Sequence, residues 1–284
     1  MSPPPTKSDP APRLPRTTVV IPCFNDGAFV AEAVASVQES EPVDVIVVDD
    51  GSNDGSTHAV LAELEARGAA RVIYQENAGV SAARMTGVQA ARTPYIFPLD
   101  ADDRVEPGCL GPLADVLDAD PSLALVYGDG LFLDEGLPRL PARPWDPFAL
   151  LYTNGIGPSC LTRRDVIFAV GGWVLPECYS DWDFLLSIAE HGYKGATVDR
   201  IVLHYRRHHV ARKHTNCLKN HGEHYRRLQR RHAALFARRR ELAKQSSLPR
   251  WSRFWLPLRH GARPFFPFPV YWWIRGRYSL RPHT

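Results

Sequence analysis

Nothing in the 284 residues approaches eighteen consecutive apolar side chains, which excludes a membrane-spanning helix. The opening residues, MSPPPTKSDPAPRLPR, lack an apolar stretch and do not read as a secretory signal. Cysteines are few, odd in number and scattered (Cys23, Cys109, Cys160, Cys178, Cys217), and no C-x-x-C occurs. That argues against a disulfide framework and a structural zinc cluster. It fits a reducing cytoplasmic setting, with any membrane contact peripheral. Acid is absent from residues 251–284, which hold ten aromatics and six arginines. The scarcity reaches further back: residues 200–284 carry 2 Asp+Glu against 21 Lys+Arg, whereas residues 1–199 carry 29 against 13. The net charge of +3 thus conceals two opposed parts. One should carry chemistry and the other should meet something anionic.

What is present suits a globular chain with a real core: 44% of residues are hydrophobic and 23% charged. Residues 1–16 hold six prolines and read as a disordered leader. From Thr17 the texture changes. TTVVIPCF, VDVIVVDD, RVIYQ and YIFPL are β-branched or apolar runs ending at breakers, so strands. Between them Phe29, Ala33 and Val37, then Val60, Leu61 and Leu64, then Val80, Ala83, Gly87, Val88 and Ala91 recur at helical spacing. Such alternation predicts a parallel sheet flanked by helices, with PCFND, DDGSNDGS, ENAGVSAAR and DADDR converging at the carboxyl ends of its strands. Further on, LALVYGD, the run near Leu131 and ATVDRIVLHYR read as strands. Arg163–Val170 and Asp181–Glu190 read as helices. Leu218, Tyr225, Leu228, Leu235 and Leu242 form one stripe on a long basic helix, a surface that could pair with a partner helix.

Four loops could carry chemistry. Asp100, Asp102 and Asp103 repel one another, and oxygen ligands of this kind suit Mg²⁺ or Mn²⁺; the alternative is a solvated acidic loop. Asp50, in DDGSNDGS, is placed either to accept from a base or ribose or to cap a helix. Asn77–Arg84 is either a phosphate site at a helix amino end or an ordinary cap with Arg84 on a solvated face. Asp181-Trp182-Asp183 opens a helix, where Asp is favourable whatever its task; a general base is the functional reading. Ten of the eleven histidines lie at or after His191, most of them fitting a basic solvated face.

VVIPCFNDGAFVAEAVASV, VIVVDDGSNDGST, ENAGVSAARMTGVQAA, YIFPLDADDRVEPG and SDWDF together resemble family 2 glycosyltransferases of GT-A fold. The resemblance covers roughly residues 17–210. It implies an α/β, Rossmann-like, mostly parallel sheet flanked by helices. Residues 17–105 would form a nucleotide-sugar half and residues 106–215 an acceptor half. A basic helical and aromatic extension over residues 216–284 would follow. By the same resemblance Pro22, Phe24 and Asn25 surround the nucleoside, Asp50 reads the base, and Arg84 and Asp100 lie near the diphosphate. Asp102 binds Mn²⁺ or Mg²⁺, His208 is a further metal ligand, and Asp181 is the catalytic base. Where the family usually has a Glu before the base, Ser180 stands here. The Q-x-x-R-W signature of processive synthases is missing, which implies addition of a single sugar, and attack opposite the leaving group would invert the anomeric centre. The donor would be a UDP-, GDP- or dTDP-linked sugar and the acceptor a glycan or a lipid-linked hydroxyl, in cell-envelope polysaccharide or glycolipid synthesis. Trp145, Asn154, Trp173 and Tyr179 are candidates to line the acceptor cleft.

Outside the resemblance, the basic aromatic tail suits an anionic membrane surface, with packing onto the domain as the alternative and no nucleic-acid partner expected. Two other functions compete. In a haloacid-dehalogenase-like phosphohydrolase the D-x-D would sit on the first core strand, whereas here three strand–helix units precede it. In a non-catalytic binding protein the carboxylates at 50, 102 and 181 need not all be present, and they are.

Overall fold

The computed structural model describes residues 14–133, 139–157, 159–176, 178–206, 217 and 220–260, with side chains as far as residue 258. The strands are β1 (Thr17–Cys23), β2 (Val43–Asp49), β3 (Arg71–Tyr74), β4 (Tyr95–Pro98), β5 (Arg104–Val105), β6 (Leu123–Phe132), β7 (Leu161–Arg163) and β8 (Lys194–Tyr205). The helices are α1 (Gly27–Ala35), α2 (Thr57–Ala66), α3 (Val80–Ala90), α4 (Leu110–Ala119), α5 (Pro147–Leu150), α6 (Arg164–Ala169) and α7 (Ser180–Glu190). A C-terminal arm adds α8 (His221–Arg231), α9 (Ala233–Ala237), α10 (Arg239–Gln245) and α11 (Arg250–His260).

All eight strands join one sheet, in the order β3-β2-β1-β4-β7-β6-β8-β5. The β3-β2-β1-β4 half is wholly parallel, so its carboxyl ends share an edge. Beyond it β7 runs antiparallel to both β4 and β6, β8 is parallel to β6, and β5 is antiparallel to β8. The sheet is therefore mixed. Alternation along the strands separates two apolar layers. Val20, Ile46 and Val48 face one way, into a core shared with α3, α7 and the arm. Val19, Ile21 and Val47 face the other, into a core shared with α1, α2 and α4.

The first four strands and three helices form where the periodicity places them. LALVYGD and the run near Leu131 prove to be one strand, β6. Helix α4 was not anticipated, although Leu110, Leu113, Ala114 and Leu117 keep the i, i+3, i+4, i+7 spacing of its buried face. The C-terminal stripe needs correction. It does not lie on one helix, because the chain breaks at His232 and Arg238. Nor does it face a partner: Tyr225, Leu228, Leu235 and Leu242 are buried in this chain's own core. The break at His232 has a physical cause, since its ring turns inward between Asp183 and Glu190 of α7.

A second correction concerns cysteine. Cys178 and Cys217 are joined in a disulfide, while Cys23, Cys109 and Cys160 are free and buried. Two cysteines 39 residues apart carry no local signature, so their pairing is a tertiary fact.

Helix α3 reaches the sheet only because its face is small. A Cβ built on Gly87 would lie 2.3 Å from Val20 Cγ1. Gly87→Ala should therefore destabilise the fold by about 1–3 kcal/mol through overpacking. Urea unfolding reads this directly, and a variant as stable as the parent would show that α3 has room to shift.

Candidate functional site

Four loops meet at the carboxyl edge of the parallel strands, and hydrogen bonds knit them together. Asn25, after β1, adopts a left-handed φ of 59°, a region that Asn tolerates better than most residues. Its Oδ1 accepts from Asn53 N at 2.8 Å and Asp54 N at 3.1 Å, and its own N–H donates to Ser52 Oγ at 2.9 Å. The loops after β1 and β2 are thereby clasped. Pro22 is buried in β1 opposite Val48, and Phe24 beside it is 38% exposed at the rim.

Asp50 ties in the third loop. Its Oδ1 accepts from Gln75 Nε2 at 2.7 Å and Ala78 N at 2.9 Å, and its Oδ2 from Gly79 N at 2.8 Å. The carboxylate thus serves the amino end of α3, where the helix dipole favours negative charge. Gly79 reaches it with φ +90°, a conformation strained for any residue with a Cβ. Of about four acceptor positions on this buried carboxylate, three are taken by described residues, two on Oδ1 and one on Oδ2.

Arg84 lies deeper, on α3, and is almost wholly buried. One terminal nitrogen donates to Asp100 Oδ1 at 2.7 Å, the other to Asp181 Oδ1 at 2.6 Å. Its Nε is buried and has no partner among the described residues. The sequence suggested a phosphate-facing or solvated arginine, but the contacts in hand are to two carboxylates. Burial opposes its charge, and Asp181 and Asp100 more than offset this, so its pKa is raised overall.

Asp181 sits in the first turn of α7. Trp173 Nε1 also donates to its Oδ1 at 3.3 Å, and the Trp173 ring stacks on Phe184. Both donors reach Oδ1, and no hydrogen bond to Oδ2 occurs among the described residues. Burial raises the Asp181 pKa, Arg84 pulls it back, and Asp100 adds to the rise; the net direction is up. Tyr179, just ahead of the helix, holds a left-handed φ of 68°.

The acidic loop follows β4. Asp100 and Asp102 are partly exposed and Asp103 is buried. Asp103 Oδ1 accepts from Arg206 N at 2.8 Å, while its Oδ2 is buried with no partner among the described residues. Burial, with the charges of Asp100 and Asp102 adding, pushes its pKa up to about 9. No group of three His, Cys, Asp or Glu among the described residues is arranged to hold a metal by itself. The donors nevertheless fit a hard divalent cation. Asp100 and Asp102 are partly exposed carboxylates, oxygen ligands of the kind that would hold Mg²⁺ together with water and substrate phosphate. His208 lies outside the described residues.

Arg206 was not anticipated. It holds the acidic loop through the Asp102 carbonyl at 2.8 Å, pairs with Glu32, and lies over the Phe29 ring. Its only sequence signal is that it is the first cation after the last strand.

The sequence model described as Glycosyl transferase family 2 matches residues 18–160, half of the chain. The chain belongs to this family. Among curated relatives, the chondroitin synthase of Escherichia coli is 27% identical over 190 residues, covering 63% of this chain and 27% of that protein. The succinoglycan biosynthesis protein ExoU of Rhizobium meliloti is 39% identical over 97 residues, covering 34% of this chain and 28% of that protein. The chain thus spans little more than a quarter of either relative. Two solved structures share the fold. S. aureus TarS 1-349 in complex with UDP-GlcNAc has a TM-score of 0.61 at 15% identity, covering 85% of this chain and 70% of that one. The mannosyltransferase PcManGT of Pyrobaculum calidifontis, in complex with GDP-Man and Mn²⁺, has a TM-score of 0.57 at 19% identity, covering 97% of this chain and 90% of that one. The mixed, helix-flanked sheet is accordingly a GT-A fold.

The Arg84 fork generates a stability test. Arg84→Met should cost about 2–4 kcal/mol, because it strands two carboxylates that have only partial access to water. Adding Asp100→Asn and Asp181→Asn should recover most of the loss. Chemical denaturation of the single and triple variants checks this, and equal instability in both would show that packing of the Arg84 stem, not charge, is what matters.

Proposed function

We propose that this chain transfers a single sugar, with inversion, from a nucleoside-diphosphate sugar to a hydroxyl acceptor in polysaccharide or glycolipid synthesis. The observation that carries this reading is the Arg84 fork. It sets a carboxylate of the D-x-D loop and the carboxylate of α7 on two sides of one buried cation. In this reading Asp100 would lie on the donor side and Asp181 on the acceptor side of Arg84, and their shared tie to one arginine supports the assignment. That is the arrangement required when an acceptor oxygen attacks as a diphosphate departs. The fold-sharing structures with UDP-GlcNAc and with GDP-Man support a nucleotide-sugar donor.

The residues divide the work. Phe24, at the rim, would lie against the nucleobase, with Pro22 and Asn25 shaping the loop beside it. Asp50 would use its remaining acceptor position on a base or ribose donor. Asp102, with Asp100, would hold Mn²⁺ or Mg²⁺, which when bound offsets the charge developing on the diphosphate. Asp181 Oδ2 would take the acceptor proton, while Arg84 and Trp173 fix Oδ1 and keep the carboxylate aimed. The arm contributes contact with the acceptor's surroundings. Trp251, Phe254, Trp255 and Leu258 recur at i, i+3, i+4, i+7 on α11 and are exposed, beside Arg250 and Arg253. Such a face suits an anionic membrane bearing a lipid-linked acceptor. Among the described residues no helix is long and apolar enough to cross a membrane.

A panel of UDP-, GDP- and dTDP-sugars, assayed for transfer and slow donor hydrolysis with Mn²⁺ and with EDTA, tests the reading. One donor should turn over in a metal-dependent way. Asp181→Asn should lower kcat by roughly 10²–10⁴-fold, and Asp102→Ala should abolish the metal response. Turnover retained in either variant would remove that residue from its role. The acid limb of the kcat profile should lie above the ordinary carboxylate pKa of about 4, because only ionised Asp181 accepts a proton and burial raises its pKa. Co-sedimentation with phosphatidylglycerol vesicles should fall when Trp251 and Phe254 are both changed to Ala. No sedimentation of the parent at low salt would end the membrane assignment.

A further inference from the structure

The C-terminal arm grips the amino end of α7 from both sides of Asp181. Ahead of it, Cys217 is bonded to Cys178, and Tyr179 Oη lies 2.8 Å from His221 Nδ1. The Tyr179 ring also meets His224 and Trp182 edge-on or tilted. Behind it, Asp183 Oδ1 takes Arg231 Nε at 2.7 Å and His232 Nε2 at 3.1 Å, and His232 Nδ1 lies 2.8 Å from Glu190. The two grips differ in kind. The one at Asp183 is buried and packed into the core. The one at Cys178 and Tyr179 holds irregular backbone, with a bulky residue in the left-handed region, where it stays only if its surroundings hold it.

Cys178 and Cys217 are both of intermediate burial, unlike the other three cysteines. The other three cysteines are buried as free thiols. Burial pushes Cys23 up to about 12 and raises Cys109 and Cys160 as well, which keeps them protonated and inert. Thiol–disulfide chemistry on the described residues is therefore confined to one place, three residues ahead of Asp181.

We propose that the Cys178–Cys217 disulfide is a thiol-responsive site that sets the position of Asp181, so that opening it lowers turnover. This rests on the reading of Asp181 as the base. The step is exchange with a thiol reductant. A thiolate attacks one sulfur and breaks the S–S bond, giving a mixed disulfide and one protein thiolate. A second thiol displaces the first protein sulfur, two electrons pass to the protein pair, and the protons end on Cys178 and Cys217 while the reductant leaves as a disulfide. Freed from Cys217, Tyr179 relaxes from its left-handed conformation, and the first turn of α7 shifts with it. The grip at Asp183 holds the rest of the helix, so the fold survives and the loss falls on the aim of Asp181 toward its acceptor.

Dithiothreitol is the probe. Without it, thiol counting on the unfolded chain should find the three free cysteines, and after it all five. Reduction should lower kcat by on the order of tenfold, since a displacement of about 1 Å can cost more than that, and leave the KM for the donor unchanged. Hydrogen exchange should quicken at residues 178–183 and not along the remainder of α7. Cys178→Ser/Cys217→Ser should behave like the reduced parent and ignore dithiothreitol, which separates the effect from any action of the reductant on the metal. Five thiols before reduction would overturn the proposal, as would unchanged exchange on reduction, or unchanged kcat in a parent that turns over. If no nucleotide sugar turns over in the parent, the reading of Asp181 as base fails, and thiol counting with hydrogen exchange still decides whether the disulfide positions this turn.

Discussion

One buried guanidinium holds the site together. Arg84 sits on α3, Asp100 follows β4 and Asp181 opens α7, so a single side chain joins three elements across 97 residues of sequence. A buried arginine with only one carboxylate would leave half of its fork unpaired. Two carboxylates without the arginine would repel each other. Each group is tolerable only in the company of the other two, and this mutual dependence fixes where the carboxylates stand before any ligand arrives. Preorganised charge of this kind is what a transfer reaction needs where a diphosphate departs.

The same economy runs along the sheet edge. Asp50 gives three of its acceptor positions to Gln75, Ala78 and Gly79, and Asn25 gives its amide to Asn53 and Asp54. Loops that look from their composition like ligand-binding surfaces are largely satisfied by one another. What faces the edge is small and directional: an oxygen of Asp50, an oxygen of Asp181, the partly exposed carboxylates of Asp100 and Asp102, and the Phe24 ring. Their geometry is held by hydrogen bonds from neighbouring loops and helices, so the edge is rigid.

The fold was legible wherever a residue's environment repeats locally. Four parallel strands and three helices could be read from β-branched runs and helical spacing, and the convergence of their loops follows from parallel order alone. What escaped was set by partners far away in sequence. The short strands β5 and β7 have too few residues to show a period. The arm's stripe kept helical spacing through His232, whose inward turn answers to Asp183 and Glu190 on another helix. Arg84 was legible as a residue that matters, but its two partners lie 16 and 97 positions away. Asp103 was one of three acids in a loop, and only the structure shows it buried and held by Arg206. The disulfide was invisible for the same reason.

The charge split along the chain acquires a different meaning in three dimensions. A part with 21 cations and 2 acids reads as a surface seeking an anionic partner. Part of that charge is used inside the molecule. Arg206 neutralises Glu32 and steadies the acidic loop, while Arg231, beside the His232 ring, answers the buried carboxylate of Asp183. These arginines are partners to acids of the first 199 residues, so the two halves of the charge imbalance partly close on each other at the site. Another part does face water: Arg226, Arg227, Arg230, Arg239 and Arg240 are exposed along the arm, and α11 adds Arg250 and its aromatic face. The arm is thus two-sided. Its inner face packs on and pairs with the helix that carries Asp181, and its outer face exposes cations and aromatics. Under the proposed function, one segment would both position the base and meet the acceptor's surroundings, coupling the two without any long pathway between them.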